Sequence, residues 1–223
     1  MTMPASSKRR TANAIIATAS DISKGCRALS RRCVHMRAIH DQLGDPPLRR
    51  SESGFPGLAR IVVGQQLSIA SADAIWTRVK TAIDPLEPHA MLSLDEAAMR
   101  GLGLSRPKIR TLRAIASATA SGEICFADLP DLSESEIRNR LTAIPGIGPW
   151  SADIYLMFCL GARDAFAPGD LALQEAVRMV YGRESRPGPD ELEAIAERWR
   201  PWRGVAARLL WADYAHRRAR PER

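Results

Sequence analysis

The run Leu141–Pro149 (LTAIPGIGP) constrains this chain more than any other, because it must be a tight turn between two helices. Pro145-Gly146-Ile147-Gly148 is too rich in glycine to continue the helix that closes at Leu141–Thr142. Pro149 suits the first position of a new helix, where its missing N–H costs nothing. Apolar residues then recur at helical spacing, at Trp150, Ile154, Met157 and Phe158. A hairpin of this kind turns the amides around Gly146 and Gly148 outward at a helix N-terminus, a ready anion site. Alone, it predicts contact with nucleic-acid backbone without sequence readout, or an ordinary αα-corner.

Helix dominates elsewhere. Alternating patterns are scarce, with three Tyr and four Phe in 223 residues. Helices are expected over Arg27–Gln42, Phe55–Val63, Ser71–Ile83, Ser93–Gly101, Pro107–Ser121, Ser133–Thr142, Pro149–Leu160, Asp170–Tyr181, Pro189–Arg198 and Gly204–Arg217. Ser133 and Ser93 each stand three residues before a Glu, the capping-box pattern. The chain is therefore expected to be all-α. Lys8-Arg9-Arg10 followed by Ala12–Ala19 only faintly imitates an export signal, being interrupted by Asn13 and Thr18. Residues 1–23 read as a disordered tail.

The partner is expected to be a polyanion, because the formal charge is +7 and the pI near 9.7. No apolar run approaches the 18 or so residues of a membrane span. Cys26, Cys33, Cys125 and Cys159 form no CxxC pair, and their spacing suits neither zinc nor an iron–sulfur cluster. Reduced, mostly buried thiols and a cytoplasmic location are expected. His35, His40, His89 and His216 have no metal-ligand spacing, so no metal is expected on side chains. Asp153 and Asp164 read as surface or helix-end charges.

After the hairpin, Gly161–Phe166 reads as a loop and Pro168-Gly169-Asp170 opens the next helix, with Asp170 suited to cap it. Asp170 lies 22 positions beyond Gly148, and the whole of Leu141–Asp170 resembles the helix-hairpin-helix (HhH-GPD) base-excision DNA glycosylases. The resemblance extends to Phe55–Ser68, to Gly101–Ser105 with Lys108, and to Trp199–Ala206 with Leu210-Trp211. It covers roughly residues 30–217. Among the branches, the chain is most similar to 3-methyladenine DNA glycosylase II, in a compact form without the N-terminal β-rich domain of longer relatives.

The resemblance implies a two-lobed fold with the active-site cleft between the lobes. One lobe is expected at about 55–165, containing the helix-hairpin-helix at about 133–160. The other is expected from about 24–50 and about 166–217. It makes Asp170 the catalytic carboxylate, and Trp150, Trp211 and Ile154 the walls of a base pocket. Gln66, with Gln65, takes the position of the wedge that fills the gap left by a flipped base. Gly146, Ile147, Gly148, Pro149 and Lys108 are expected at DNA phosphate. Ile154 stands where some relatives place a pocket Tyr; Tyr155, one position on, points about 100° away on a helix.

Relatives that also cleave the backbone carry a Lys two residues after the last hairpin glycine. Here that residue is Trp150, which cannot form a Schiff base, so a monofunctional glycosylase for alkylated bases in damaged duplex DNA is expected. A glycosylase for deaminated or oxidised bases, and a non-catalytic protein that recognises damaged DNA, remain alternatives. No cofactor is implied beyond a monovalent cation on the hairpin carbonyls, and the chain is expected to be a monomer.

Overall fold

The computed structural model describes residues 14–219, and among them twelve α-helices and no strand are found. Residues 1–13 of the expected tail lie outside the described residues. Residues 14–23 do not behave as a tail. Thr18 and Asp21 form a capping box that starts α1 (Ala19–Ser30). Ile16 is fully buried, and its amide donates to the Gly161 carbonyl at 2.8 Å. The Arg163 amide donates to Ala14 at the same distance. This short segment therefore straps the loop that leads from the hairpin to Asp170.

The single helix expected over Arg27–Gln42 is two, α1 and α2 (Val34–Leu43). No Gly or Pro marks the break. Tertiary packing sets it: Met36 and Ile39 fold back against the buried stripe Ile22, Cys26 and Leu29. Arg37 donates to the Ser30 carbonyl at 2.8 Å, serving an acceptor that the helix end leaves free. Cys33, extended at φ −138°, then begins α2.

Helices α3 (Gly54–Gly64), α4 (Ile69–Ala82), α5 (Pro88–Ser93), α6 (Glu96–Gly101), α7 (Arg106–Ala120), α8 (Glu134–Thr142) and α9 (Pro149–Ile154) follow. A π-helical turn, Tyr155–Leu160, continues α9. Then come α10 (Leu171–Val180), α11 (Pro189–Ala196) and α12 (Arg203–Ala219). Sequence patterning missed α5, although Pro88 at its first turn was a usable signal. It also misplaced the cap of α6: Asp95 accepts from Ala98 N at 2.7 Å, whereas Ser93 donates back to Ala90. At α8 the box formed by Ser133 and Glu136 is present.

The helices pack in two groups. α3 to α9 contact one another around α7, whose Ile109, Leu112 and Ile115 are buried. α1, α2 and α10 pack on α12, and α11 packs on α10. The chain crosses between the groups at residues 44–53 and again at 161–170. Both crossings border the cleft described next.

Candidate active site

The hairpin between α8 and α9 is built by one glycine that the protein requires and one that it does not. Gly146 has φ +89°, and a Cβ there would lie 1.9 Å from Thr111 Oγ1 on α7. Gly148, at φ −94°, is exposed, and an added Cβ would meet nothing within 4 Å. The amides of both glycines find no acceptor among the described residues. Ile147 departs from expectation: its amide donates to Ile144 at 3.0 Å and its side chain is 4% exposed, so it closes the turn and offers no donor. Pro149 likewise lacks an N–H. Of the residues expected at phosphate, only the two glycines thus keep a free backbone donor at the hairpin among the described residues.

This asymmetry predicts two different defects. Gly146→Ala should lower stability by about 1–3 kcal/mol, through a strained backbone and the clash with Thr111. Gly148→Ala should leave stability within about 0.5 kcal/mol but weaken duplex binding, because its methyl group lies where phosphate would approach. Thermal denaturation and fluorescence anisotropy on both variants check this. Equal behaviour in the two assays would contradict it.

Asp170 caps α10 and is held by three donors. Leu173 N and Trp211 Nε1 reach Oδ1 at 2.9 and 3.1 Å, and Trp150 Nε1 reaches Oδ2 at 2.9 Å. Every partner donates, so the site is made for an acceptor-only carboxylate. The sequence suggests the two tryptophans as stacking walls. Both do line a pocket, yet each also turns its indole N–H to the carboxylate. Gln174 fixes the preceding turn by donating to Pro168 O at 2.9 Å.

Two cavities meet at Asp170. One, of about 500 Å³, is lined by Trp150, Ile154, Phe158 and Trp211, with Arg208 and Tyr214. The other, of about 650 Å³, reaches from Asp170 past Trp150 and Gly148 to Gln65 and Gln66. They share Trp150, Asp170 and Ala172. Tyr155 is absent from both walls; it is fully buried, and its hydroxyl accepts from Gly54 N at 2.8 Å. Its apolar surroundings push the phenol well above its usual range.

Gln66 is exposed at the loop tip with φ 57°, a left-handed conformation that a non-glycine residue holds at a cost of about 1 kcal/mol or more. Gln65 ties that loop to the hairpin helix by donating to Ser151 Oγ at 2.8 Å. Lys108 reaches back to the end of α3. Its Nζ donates to Val63 O at 2.7 Å, and burial holds its pKa below the usual lysine value. The ammonium thus serves the C-terminal turn of α3, at the root of the Gln65–Gln66 loop.

Of the two carboxylates expected as surface or helix-end charges, Asp153 is buried, whereas Asp164 stands at a helix end, accepting from the Arg203 amide at 3.3 Å. Asp153, 4% exposed, accepts from Arg138 Nε at 2.6 Å and joins α9 to α8. Asp164 pairs with Arg200, and its backbone carbonyl accepts from Arg203 Nε at 2.9 Å, anchoring the start of α12. Cys26, His40 and Asp45 do come together, within 4.8 Å of one another. They form a hydrogen-bonded set: His40 Nε2 lies 2.8 Å from Asp45 Oδ1, and Ser23 donates to Asp45. Burial, and then the charge and hydrogen bond of Asp45, push the Cys26 thiol up to about 12. All four cysteines are free; Cys26 and Cys159 are buried, Cys33 is half-buried and Cys125 exposed.

The fold and the site define an all-helical protein that presents a glycine hairpin and a caged carboxylate on one cleft. Residues 59–201 match the family model of the HhH-GPD superfamily of base excision DNA repair proteins, and the chain belongs to that family. It is 33% identical to DNA-3-methyladenine glycosylase 1 of Schizosaccharomyces pombe, over 72% of this chain and 74% of that protein. A putative DNA-3-methyladenine glycosylase of Bacillus subtilis is 26% identical over 79% of this chain, which spans 64% of its length. The solved S. pombe 3-methyladenine DNA glycosylase in complex with abasic DNA superposes with a TM-score of 0.80 at 30% identity, covering 84% of this chain and 95% of that one. No described helix is long and apolar enough to cross a membrane.

Proposed function

We propose that this protein is a monofunctional DNA glycosylase that excises alkylated bases, such as 3-methyladenine and 7-methylguanine, from damaged duplex DNA. The observation that carries the reading is the Asp170 carboxylate, held by two indoles and a helix N-terminus where an apolar pocket opens from the hairpin cleft. The curated relatives named above as 3-methyladenine glycosylases support the choice of substrate.

The hairpin glycines hold the DNA backbone, and the positive net charge favours duplex without choosing a sequence. Extruding a nucleotide costs a few kcal/mol. Gln66, at the loop tip and braced through Gln65, fills the vacated stack and can hydrogen-bond the orphaned base. At the sugar, positive charge develops as the glycosidic bond lengthens. Asp170 stabilises that charge and orients the attacking water. A methylated purine that is already cationic departs neutral, so it requires no general acid.

Trp150 occupies the position where bifunctional relatives hold a Schiff-base lysine, which supports an intact abasic site as the product. No organic cofactor or iron–sulfur cluster enters this scheme. A monovalent cation held by backbone carbonyls of the hairpin is compatible with this scheme. It would neutralise charge beside the phosphate. The protein is read as acting as a monomer in the cytoplasm.

The test is release of 3-methyladenine or 7-methylguanine from methylated duplex, together with borohydride trapping. Base release without a covalent adduct is expected. No release would overturn the glycosylase reading, and a robust adduct would overturn the monofunctional one.

A further inference from the structure

Arg208 is an unusual wall for such a pocket. It sits in α12 between Ala207 and Leu209, both fully buried, and is itself 4% exposed. Its hydrogen-bond acceptors are all backbone carbonyls: Gly204 O at 2.7 Å, Met157 O at 3.0 Å and Arg49 O at 3.4 Å. Its Nε is buried and finds no acceptor among the described residues. The guanidinium carbon lies 4.7 Å from the centre of the Phe158 ring, which packs 5.6 Å from the Trp211 ring. Burial, and then the positive charges of Arg50 and Arg49, pull its pKa down to about 10, so it remains a cation at neutral pH.

A buried charge without a counter-ion is destabilising, and an apolar residue of similar volume would suit this helix better. The charge is retained beside the pocket that also holds the Asp170 carboxylate. Arg49 lines the same pocket, so two arginines and one carboxylate border the space a flipped base would enter. The Phe158 face, which could otherwise attract a cationic base, already carries Arg208.

We propose that Arg208 is a specificity-determining residue, whose buried guanidinium makes the rate enhancement over spontaneous loss larger for neutral alkylated purines than for the cationic N3- and N7-methylpurines, whose glycosidic bonds are already weak. The inference rests on the alkylbase glycosylase reading above. In hydrolysis the C1′–N bond breaks and both electrons go to the base. The oxygen of water bonds to C1′; one proton of that water ends on the departed base when the base was neutral, and is released to solvent when the base was cationic. A cationic base becomes neutral in this step and is only repelled by the guanidinium beforehand. A neutral base becomes transiently anionic, and a fixed cation in a dry pocket stabilises it as the charge develops.

The experiment compares single-turnover excision of 1,N6-ethenoadenine, a neutral base, with that of 7-methylguanine, each divided by its spontaneous rate of loss. For the wild-type protein the rate enhancement should be larger for ethenoadenine, by roughly 100-fold. Arg208→Met should reduce ethenoadenine excision relative to 7-methylguanine excision by about tenfold or more. Arg208→Lys, which keeps the charge, should retain most of the preference. Equal enhancements in the wild type, or an unchanged ratio in a folded Arg208→Met, overturn the assignment of Arg208 and leave the alkylbase reading intact. Release of neither base overturns that reading and the inference with it. If the Met variant fails to fold, the wild-type comparison decides alone.

Discussion

Replacing Asp170 with Asn is expected to lower base excision by about three orders of magnitude while changing affinity for duplex by no more than about threefold. The reason is electrostatic. Asn keeps the shape of the side chain and loses the charge that opposes the developing positive charge at the sugar. The hydrogen-bond frame makes the loss larger. Leu173 N, Trp211 Nε1 and Trp150 Nε1 all donate to this residue, two to Oδ1 and one to Oδ2. An Asn amide has one acceptor oxygen, so one of those donors must face an NH₂ group. With Oδ1 kept toward Leu173 and Trp211, the conflict falls on Trp150, at an expected cost of about 1–3 kcal/mol of stability. Single-turnover excision from methylated duplex, with anisotropy on duplex carrying an abasic-site analogue, separates the two effects. Activity within tenfold of wild type in the folded variant would sink the catalytic assignment. A parallel collapse of binding would make Asp170 an anchor rather than a catalyst.

What could be read in the sequence was whatever local chain chemistry dictates. The hairpin follows from two glycines and two prolines within five residues, and the capping box of α8 from Ser133 and Glu136. Asp170 could be read as a helix cap for the same reason. What the sequence hid depends on contacts between distant residues. The break between α1 and α2 has no breaker residue and exists because Met36 and Ile39 pack against α1. Lys108 finds Val63, 45 positions away, and Asp153 finds Arg138 on the preceding helix. The sequence gives no partner for the indole nitrogens of Trp150 and Trp211, because composition does not separate ring stacking from hydrogen bonding at the ring edge. Arg208 did leave a mark, as a lone charge inside the apolar run Val205–Leu210. Such a residue on an otherwise buried helix signals either a partner or a pocket.

Arg138→Met should destabilise the fold by about 3 kcal/mol, at the lower end for a broken buried pair because Arg138 itself is 31% exposed. For a protein of this size that lowers Tm by about 6–12 °C. The charge left behind decides the size of the effect. Asp153 is 4% exposed, and burial raises its pKa to about 6 even though the Arg138 hydrogen bond and charge oppose the shift, with Glu193 and Glu134 adding to it. A folded-state pKa above the unfolded value of about 3.9 means that the folded protein binds the proton more tightly. Between about pH 4 and 6 this group therefore makes stability fall as pH rises. Arg138 supplies both of the influences that lower the pKa, so its removal raises the folded value further and extends that falling window upward. The variant should then differ least from wild type near pH 5, where protonation relieves the unpaired carboxylate, and most near pH 8. Urea denaturation of both proteins at the two pH values measures the difference. A penalty that is the same at pH 5 and pH 8 would mean that Arg138 acts through packing alone. A penalty that grows from pH 5 to pH 8 would show that a charge pair helps to hold the hairpin's two helices together.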